Sequence, residues 1–326
     1  MTGYSVIFIA AILDYLIGDP VNIHHPVQTI GWVISSFTKL INKYCHHRLS
    51  QRLAGLFLGI IVIIGSGAIA QLIIHIAACV HPFLGIAIQI ILLASCFAGR
   101  SLRNAATAVL QPLEQSNLSV ARSILRNYVG RDTENLTTPE ILRATLETVT
   151  ENATDGVMAP LFYAIVGALI PGVEPVTLAM AYKASSTLDS MVGYLYPPYT
   201  YLGWFSARLE DRLTWLPCRL HIFTLGIISR KPLEIWRICR RDAIKDPSPN
   251  SGWSECSYAA ILGVQVGGIN WYRGVAKHKP LLGDPTHPIT VKSIYHALNL
   301  TRSSFLFWLG TIGLFLLLGI TQGWIK

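Results

Sequence analysis

Charged residues are scarce in this chain of 326 residues, of which 13% are charged and 52% hydrophobic. A soluble domain carries roughly 25% charged residues, so the composition argues for an integral membrane protein. The charge that is present is unbalanced, with a formal net charge of +8, which suits anionic lipid headgroups and phosphate-bearing substrates. Nucleic acid is not expected as a partner, because the basic residues are not interleaved with base-stacking aromatic residues.

Several common site motifs are missing. The six cysteines include no CxxC pair, so we expect reduced thiols used as small apolar side chains. No GxxxxGK[ST] loop occurs and no GxGxxG follows a strand, so a bound nucleotide would not be held by a standard P-loop. The GVQVGG stretch at 263–268 is interpreted as glycine used for close helix packing. The N-terminus lacks a basic n-region and a clear cleavage site, so its first apolar run is expected to be retained.

Long apolar runs carry the fold prediction. They cover Tyr4–Ile17, Leu53–Ala78, Phe83–Ala98, Val157–Ile170, Val176–Ala184 and Ser304–Trp324. A helix needs about 20 residues to cross the hydrocarbon, and the second and last runs meet that length. The fourth and fifth are too short alone and are separated by PGVEP at 171–175. We therefore predict an all-α, polytopic membrane protein with about five spans, one of them a broken or re-entrant helical pair.

The distribution of Lys and Arg predicts the orientation. Basic residues concentrate in the loop before the second apolar run, in 99–157 and in 185–303, whereas the link at 79–82 has none. Positive-inside counting places the basic segments in the cytoplasm. We expect a single membrane domain over 1–326, with 99–157 and 185–303 as helical, motif-bearing cytoplasmic segments. Few apolar residues alternate with polar ones, so almost no sheet is expected.

The segment ETVTENATDGVMAPLFY at 147–163 is the most informative motif. Its carboxylates Glu147, Glu151 and Asp155 are four residues apart and share one helix face. They repel each other unless water, a cation or a basic partner neutralises them. Asn152 and the turn after Asp155 add oxygen ligands of the kind that Mg²⁺ takes with bound phosphates. The alternative is a solvated polar face opposite an apolar stripe.

Local signals place this motif on helices. Thr137 and Glu140 form a possible capping box at the start of the helix that carries Glu147. Pro232 is expected to open another helix toward Lys245. The DPSPNSG stretch at 246–252 is predicted to be a loop, because its prolines and glycine break helix and strand alike.

Three further motifs place charge in unusual settings. In AYKASSTLDSMVGY at 181–194, Lys183 lies among apolar residues. It would either reach lipid phosphate or contact a phosphate or carboxylate beside Asp189. VGRDT at 129–133 and ARLEDRL at 207–213 each pair arginine with an acid. Arg208 and Asp211 are three residues apart, so they form either a surface ion pair or a ligand contact.

Taken in order, these motifs resemble those of the CbiB/CobD family, the adenosylcobinamide-phosphate synthases of cobalamin biosynthesis. The matching pieces are LDYLIGDP, HHPVQTIGW, SLRNAA, VGRDT, ENATDGVMAPLFY, YKASSTLDSMVGY, ARLEDRLTWLPCRL, RDAIKDPSPNSG and ILGVQVGG. They extend over most of the chain. Each is modest alone, and the order and spacing make the set specific.

The resemblance implies a membrane-bound, ATP-dependent amide ligase in the bacterial cytoplasmic membrane, with its active face in the cytoplasm. It would join aminopropanol or its phosphate to a propionate carboxylate of (adenosyl)cobyric acid, giving (adenosyl)cobinamide or its phosphate. The implied cofactors are ATP and Mg²⁺. The implied partners are the corrinoid, aminopropanol phosphate and membrane lipid, with a homo-oligomer or other cobalamin-pathway enzymes as further candidates.

Candidate roles follow from this chemistry at positions within or beside the matching motifs. Metal binding is assigned to Glu151, Asp155 and Asp189. Phosphate or nucleotide contacts are assigned to Arg131, Lys183, Arg208, Asn152 and Asn250. Base or orienting roles are assigned to Asp132, Asp211, Asp242 and Glu147. An acyl transfer of this kind needs a metal to neutralise phosphate, cationic clamps and a base for the amine.

The chain departs from the family pattern at three positions. Ser186 stands where the family is expected to have Asn, Glu210 replaces the first Asp of a DD pair, and Thr214 replaces a following Asn. Ser for Asn removes an amide that both donates and accepts. Two other functions therefore stay open: a non-catalytic regulatory protein of the AmpE-like kind, and a corrinoid transporter with a broken helix pair.

Overall fold

A computed structural model describes residues 3–19, 24–194 and 196–321, with side chains as far as residue 314. In chain order its elements are α1 (Gly3–Leu16), α2 (Pro26–Tyr44), α3 (Arg48–Val80), α4 (Pro82–Ala94), α5 (Gly99–Glu114), α6 (Leu118–Leu125), α7 (Thr138–Asn152), α8 (Ala159–Leu169), α9 (Pro175–Val192), α10 (Trp204–Ser229), α11 (Pro232–Asp242), α12 (Ser251–Leu262), β1 (Val266–Tyr272), β2 (Val275–Leu282) and α13 (Val291–Thr321). A π-helical turn (Ala153–Met158) joins α7 to α8, and a 3-10 turn (Ala243–Lys245) follows α11.

The apolar runs fall on helices, as predicted. Among the residues that the structure describes, two stretches are long and apolar enough to cross a membrane, Arg48–Val80 and Pro82–Glu114. The second is shared by α4 and α5, with a break at 95–98. By length and composition alone these stretches give weak support for membrane association, and the number of about five spans stays a prediction. The end of the last predicted span, at 322–324, lies outside the described residues, as does Pro20 of the LDYLIGDP motif.

The chain divides into two compact units. The first, here called the apolar unit, comprises Met1–Arg100, Ala159–Thr214 and Ile312–Lys326. The second, here called the charged unit, comprises Ser101–Met158 and Trp215–Thr311. The charged unit overlaps the predicted motif-bearing segments 99–157 and 185–303, except that 99–100 and 185–214 belong to the apolar unit.

The apolar unit is built on the long helix α3, which packs against α4 and α9. Small residues allow backbones to approach closely, and a Cβ at Gly67 would lie 2.8 Å from the Thr177 carbonyl oxygen. The predicted break at PGVEP is confirmed, because α8 ends at Leu169, α9 begins at Pro175 and Gly172 in between has a φ of +81°. Since the two helices pack against each other, they form the predicted broken pair; a re-entrant course through a membrane stays a prediction.

The charged unit is organised around α12, which packs against α7, α11 and both strands. Every residue of α12 from Ser251 to Ala259 is buried, including Glu255. A hydrophobic core cluster joins α5, α6 and α7 and includes Val109, Ala121, Leu125, Ile141 and Ala144. Helix α7, which carries the acidic motif, therefore packs against α6, α12 and β1.

Residues 266–282 form a β-hairpin, whereas the sequence analysis interpreted the glycines of GVQVGG at 263–268 as a means of close helix packing. Strands β1 and β2 pair antiparallel, with Tyr272 opposite Val275. Gly263 ends α12 in the left-handed conformation, and Gly267 and Gly268 also have positive φ, at a register shift in β1. The helix-packing interpretation of GVQVGG is therefore wrong: its glycines are needed for a helix end and a β-bulge, conformations that glycine adopts without steric cost.

The predicted helix signals are largely confirmed. The Glu140 carboxylate accepts the Thr137 backbone N–H at 2.7 Å, as a capping box requires. Pro232 opens α11, and the helical course continues to Lys245. The predicted loop at 246–252 is two residues too long, because α12 begins at Ser251.

Candidate functional site

Glu147 is the centre of a buried ion cluster in the charged unit. Its side chain is 2% exposed and pairs with the guanidinium of Arg131, while Arg143 lies 3.8 Å away. Its Oε1 accepts the backbone N–H of Gly267 in β1 at 2.9 Å. The alternative of a solvated acidic face is therefore wrong for Glu147, because the hairpin covers that side of α7.

The two arginines fasten the hairpin to α7 through Asn270. Arg131 donates to the Asn270 Oδ1 atom at 2.9 Å, and Arg143 donates to the same oxygen at 3.2 Å. Arg143 also binds the carbonyl oxygens of Gly267 and Ile269. Arg131 stays a predicted phosphate contact, but its guanidinium already has protein partners, so a ligand would have to share it.

Asp132 binds the tight turn of the hairpin. Its carboxylate accepts the backbone N–H groups of Arg273 and Gly274 at 2.9 and 2.8 Å, and its own N–H donates to the Trp271 carbonyl. Arg273 has a φ of +51° and Gly274 a φ of +75°, as a two-residue type I′ turn requires. Of the two predicted roles, base or orienting acid, this geometry supports the orienting one.

A cleft of about 620 Å³ lies beside that turn. Asp132, Glu134, Glu140 and Arg273 contribute its charged groups. Hydrogen bonds from the Thr137 side chain and backbone lower the pKa of Glu140, and Asp132 is bound by the turn. Two of its three carboxylates, Asp132 and Glu140, thus already bind local backbone.

Asp242 holds the other end of the hairpin. Its carboxylate accepts from Arg241 at 2.6 and 2.9 Å and from the Gly283 backbone N–H, just after β2, at 3.2 Å. Burial by itself raises the pKa of Asp242, but the hydrogen bonds from Arg241 and Gly283 and the charges of Arg241 and Lys245 outweigh it and hold the pKa below its usual value. A carboxyl with a lowered pKa is a weak base, so this geometry also supports an orienting role.

Glu255 and Lys279 form a second buried ion pair. The Lys279 ammonium lies 3.1 Å from Glu255 Oε1, and the Glu255 residue is 1% exposed. Burial raises the pKa of Glu255 to about 8, despite the opposing charge of Lys279, and Glu151 and Glu147 add to the rise. For Lys279, burial acts to lower the pKa, but the charge of Glu255 and its acidic neighbours outweighs it and raises the pKa.

The predicted metal residues are divided between the units. Glu151, at the end of α7, is half-buried and close enough to Glu255 and Lys279 to affect both electrostatically. Asp155 lies in the π-helical turn, and Asp189 lies on α9 in the apolar unit. Within the described part of the chain, no three His, Cys, Asp or Glu side chains form a group that could hold a metal ion. The metal assignment stays a prediction.

The two predicted asparagine contacts differ in position. Asn152 is exposed at the end of α7 and donates to the Thr148 carbonyl at 2.9 Å. Asn250 is buried at the start of α12, where its carbonyl accepts the Ser254 N–H at 2.9 Å. Asn250 is therefore part of the helix start that leads to Glu255, whereas Asn152 faces outward.

A buried polar network fixes the π-helical turn. Thr154 in that turn bonds Ser254 at 2.8 Å and His221 Nδ1 at 3.1 Å. Tyr258 links His221 Nε2 at 3.4 Å to the Thr301 hydroxyl at 2.6 Å. Burial lowers the pKa of His221 to about 3, so the imidazole is neutral near pH 7. Sequence reasoning did not single out any of these five residues.

The remaining predicted site residues lie in the apolar unit. Lys183 on α9 is half-buried and interacts electrostatically with Asp14 of α1. On α10, Arg208 is exposed and Asp211 is half-buried. Burial raises the pKa of Asp211, and the charge of Arg208 partly offsets the rise. Phosphate contacts at Lys183 and Arg208 stay predictions, as does a base at Asp211.

Two of the three departures from the family pattern contact each other. The Thr214 hydroxyl donates to the Glu210 carboxylate, and the Tyr182 hydroxyl lies 2.8 Å from Thr214 Oγ1 and 3.5 Å from Glu210 Oε1. Glu210 and Thr214 thus satisfy one another inside the apolar unit. Ser186 is half-buried on α9, and nothing in the structure explains its departure.

Sequence reasoning also missed Glu255, Lys279 and Asn270. Glu255 is a lone carboxylate in a run of small and apolar residues (SECSYAA), a setting that could have marked it, because an isolated buried charge is costly. Lys279 and Asn270 carry no such signal. They reach the site only because β1 and β2 pair, and an Arg-Gly turn is a weaker hairpin indicator than Asn-Gly.

The comparisons with known proteins agree with the resemblance. A family model described as CobD/Cbib protein matches residues 7–301. The chain belongs to the CobD/CbiB family. The match includes the acidic motif, the hairpin, Glu255 and Lys279, so the buried cluster lies wholly within the family region. No solved structure matches the chain.

Curated CobD/CbiB relatives cover nearly the full length. The chain is 56% identical over 314 residues to the cobalamin biosynthesis protein CobD of Synechocystis sp., covering 96% of this chain and 92% of the relative. It is 40% identical over 296 residues to the cobalamin biosynthesis protein CbiB of Salmonella arizonae, covering 90% and 91%. It is 39% identical over 296 residues to the cobalamin biosynthesis protein CobD of Citrobacter koseri, also covering 90% and 91%. These names support a role in cobalamin biosynthesis.

Proposed function

We propose that this CobD/CbiB-family chain is an ATP-dependent amide ligase of cobalamin biosynthesis. It joins aminopropanol or its phosphate to a propionate carboxylate of cobyric acid or adenosylcobyric acid, giving the corresponding cobinamide or its phosphate. Family membership and the names of the relatives support the pathway. The observation that supports chemistry, rather than a scaffold role, is the buried cluster of carboxylates and cations between α7, α12 and the hairpin.

The cluster contains the kinds of group that amide ligation needs. A carboxylate is a poor electrophile, and its activation by phosphoryl transfer places negative charge that cations must stabilise. Mg²⁺, when bound, would neutralise phosphate charge. Glu151 and Asp155 fit it as ligands, because Mg²⁺ is usually held by one or two carboxylates together with phosphate oxygens. The amine must also lose a proton before it attacks, which requires a base.

Other residues of the charged unit hold this cluster in place. Asp132 binds the turn of the hairpin and Asp242 binds its far end, while Arg131 and Arg143 bind β1 along its length. These contacts keep Lys279 of β2 against Glu255 of α12. Catalytic groups must be held within fractions of an ångström to be effective, so we assign these four residues to positioning.

The proposed location is the bacterial cytoplasmic membrane, with the charged unit in the cytoplasm. Two apolar stretches and the loop charge bias support this placement. Cobyric acid and aminopropanol phosphate carry several charges, and a charged unit on the aqueous side would reach them without moving them into hydrocarbon.

Complementation with a mass readout tests the function. The chain would be expressed in a bacterium that lacks its own synthase, supplied with cobyric acid and the candidate amines, and extracts examined for cobinamide-type products. Glu151→Gln and Asp189→Asn should each reduce product strongly if they bind metal. Glu234→Gln, at an exposed surface pair with Lys231, is the matched control and should leave product unchanged.

Each rival function gives a different result in that experiment. A well-folded chain in the membrane that forms no product with any of the amines would contradict the ligase and favour the AmpE-like regulatory alternative. Uptake of a corrinoid into proteoliposomes, without ligation, would favour a transporter. Product from the wild type with undiminished product from Glu151→Gln would keep the ligase and overturn the metal assignment at Glu151.

A further inference from the structure

Acidic side chains outnumber basic ones around Lys279 in the described part of the chain. Four carboxylates act electrostatically on the Lys279 ammonium: Glu255, Glu151, Glu147 and Asp246. Arg131 and Arg143 pair with Glu147, and Lys279 pairs with Glu255. Within the part of the chain that the structure describes, Glu151 and Asp246 have no ion pair. Four acidic side chains thus lie near three cations in this part of the charged unit.

Glu255 also presents an oxygen atom with nothing to bind. Its Oε1 accepts from Lys279 at 3.1 Å and from the Ser251 hydroxyl at 3.4 Å. Its Oε2 is buried and has no hydrogen-bond partner among the described residues. A buried acceptor without a donor costs free energy, so a hydrogen-bond donor that reaches this oxygen would be bound favourably. The amide nitrogen of Asn270, on the neighbouring strand, is a second buried atom without a partner.

A group that donates hydrogen bonds and carries positive charge would satisfy this oxygen when Glu255 is ionised. An ionised carboxylate oxygen accepts only, and a cation beside Glu255 would favour its ionised form over its protonated form. A primary ammonium meets both requirements, with three N–H donors on one charged nitrogen.

We propose that Glu255 Oε2 binds the ammonium group of the amine substrate and accepts one of its protons. The inference rests on the ligase function proposed above. The step breaks one N–H bond of the ammonium and forms one O–H bond on Glu255, and the N–H electron pair stays on nitrogen as a lone pair. Attack by that lone pair on the activated carboxyl carbon forms the C–N bond of the amide and breaks the C–O bond to the activating phosphoryl group, which leaves as phosphate. Lys279 of β2 positions Glu255, and Glu147 and Glu151 of α7 complete the charged groups around it.

The electrostatics of Glu255 fit this role. Burial raises its pKa to about 8, closer to that of an aliphatic amine than an ordinary carboxyl is, and a base is most effective when its pKa lies near the working pH. Transfer of a proton from an ammonium to such a carboxylate is less unfavourable than transfer to a carboxylate whose pKa is about 4.

Amine binding can be measured without any ligation. Purified protein in detergent would be titrated calorimetrically with 1-amino-2-propanol phosphate and, as a ligand control, with 1,2-propanediol phosphate, which lacks the amine. The wild type should bind the amine about ten- to hundredfold more tightly than the control ligand, and Glu255→Gln should remove that difference. Equal binding of both ligands by the wild type, no binding of the amine, or an unchanged preference in Glu255→Gln would each overturn the proposal.

Rate profiles separate a base from a structural ion pair. With saturating substrates, the wild-type kcat should rise with pH through about 8, as the carboxyl loses its proton. Glu255→Asp should lower kcat and keep the rise, whereas Glu255→Gln should lose the rise. If Glu255→Asp and Glu255→Gln show the same profile as the wild type, Glu255 is not the base. If amine binding behaves as expected and no variant or wild type ligates, the proposed function fails and the amine site stands.

Discussion

The two units of this chain differ in which side chains they expose and which they bury. The apolar unit leaves large apolar side chains exposed along α3, including Phe57, Ile64 and Ile69. The charged unit buries charged side chains such as Glu147 and Glu255 and pairs them with cations. Exposed apolar side chains are compatible with contact to lipid. Burying an ion pair costs desolvation free energy, so such a pair indicates a role other than stability. The difference indicates where the membrane and the chemistry are to be sought.

The largest effect should come from breaking a buried ion pair in the charged unit. Glu147→Gln keeps the side-chain shape but leaves Arg131 and Arg143 without their carboxylate, which should lower the free energy of unfolding by about 3–5 kcal/mol. Lys231→Gln, at the exposed pair with Glu234, should cost less than about 1 kcal/mol. Denaturation in detergent micelles measures both. Similar losses for the two variants would remove the distinction between buried and surface charge.

A matched pair of arginine substitutions tests whether the units face different solvents. Ile64 on α3 is 64% exposed and Leu233 on α11 is 83% exposed. If Ile64 faces lipid, Ile64→Arg should cost about 3 kcal/mol of insertion free energy, whereas Leu233→Arg in water should be nearly neutral. The amount of each variant in the membrane fraction measures this. Equal yields for the two variants would contradict a lipid-facing α3.

Acid should destabilise the charged unit through His221. Its pKa is about 3 in the folded chain and about 6.5 when unfolded, so the unfolded state binds more protons between these values. Stability should therefore fall as pH drops below about 6.5, by at most about 1.4 kcal/mol per pH unit, down to about pH 3. His221→Gln should remove this part of the slope. Thermal unfolding of the wild type and variant from pH 7 to pH 4.5 measures it, and identical slopes would contradict a buried neutral imidazole.

The smallest of these effects concerns the turn of the hairpin. Asp132→Ala removes the acceptor for the Arg273 and Gly274 N–H groups and should cost about 1–2 kcal/mol. Asp132→Asn keeps one acceptor oxygen and should cost less. Urea unfolding of both variants gives the comparison. If Asp132→Ala leaves stability unchanged and abolishes ligation, Asp132 is a catalytic residue rather than a clamp for the turn.

Sequence patterns were sufficient where the cause is local. The capping box at Thr137 and Glu140, the helix opened by Pro232 and the break at PGVEP depend on residues within one or two turns of each other. The same approach was wrong about GVQVGG, where glycine permits both close helix packing and positive φ. The solvated face that it left open as an alternative at Glu147 is wrong, because the distant β1 covers that carboxylate.

The amino-acid sequence by itself determined the helical, apolar character of the chain, its family and the motifs that bear its charge, because composition, periodicity and motif order are properties of neighbouring residues. Only the tertiary structure decided which charges meet. Glu147 and Glu255 acquire their environments from a hairpin that is distant from them along the chain. The ion pair of Glu255 with Lys279 spans 24 positions, and the hydrogen bond of Glu147 with Gly267 spans 120. Burial and pairing depend on such long-range contacts, and they turn three unremarked residues, Glu255, Lys279 and Asn270, into the centre of the proposed site.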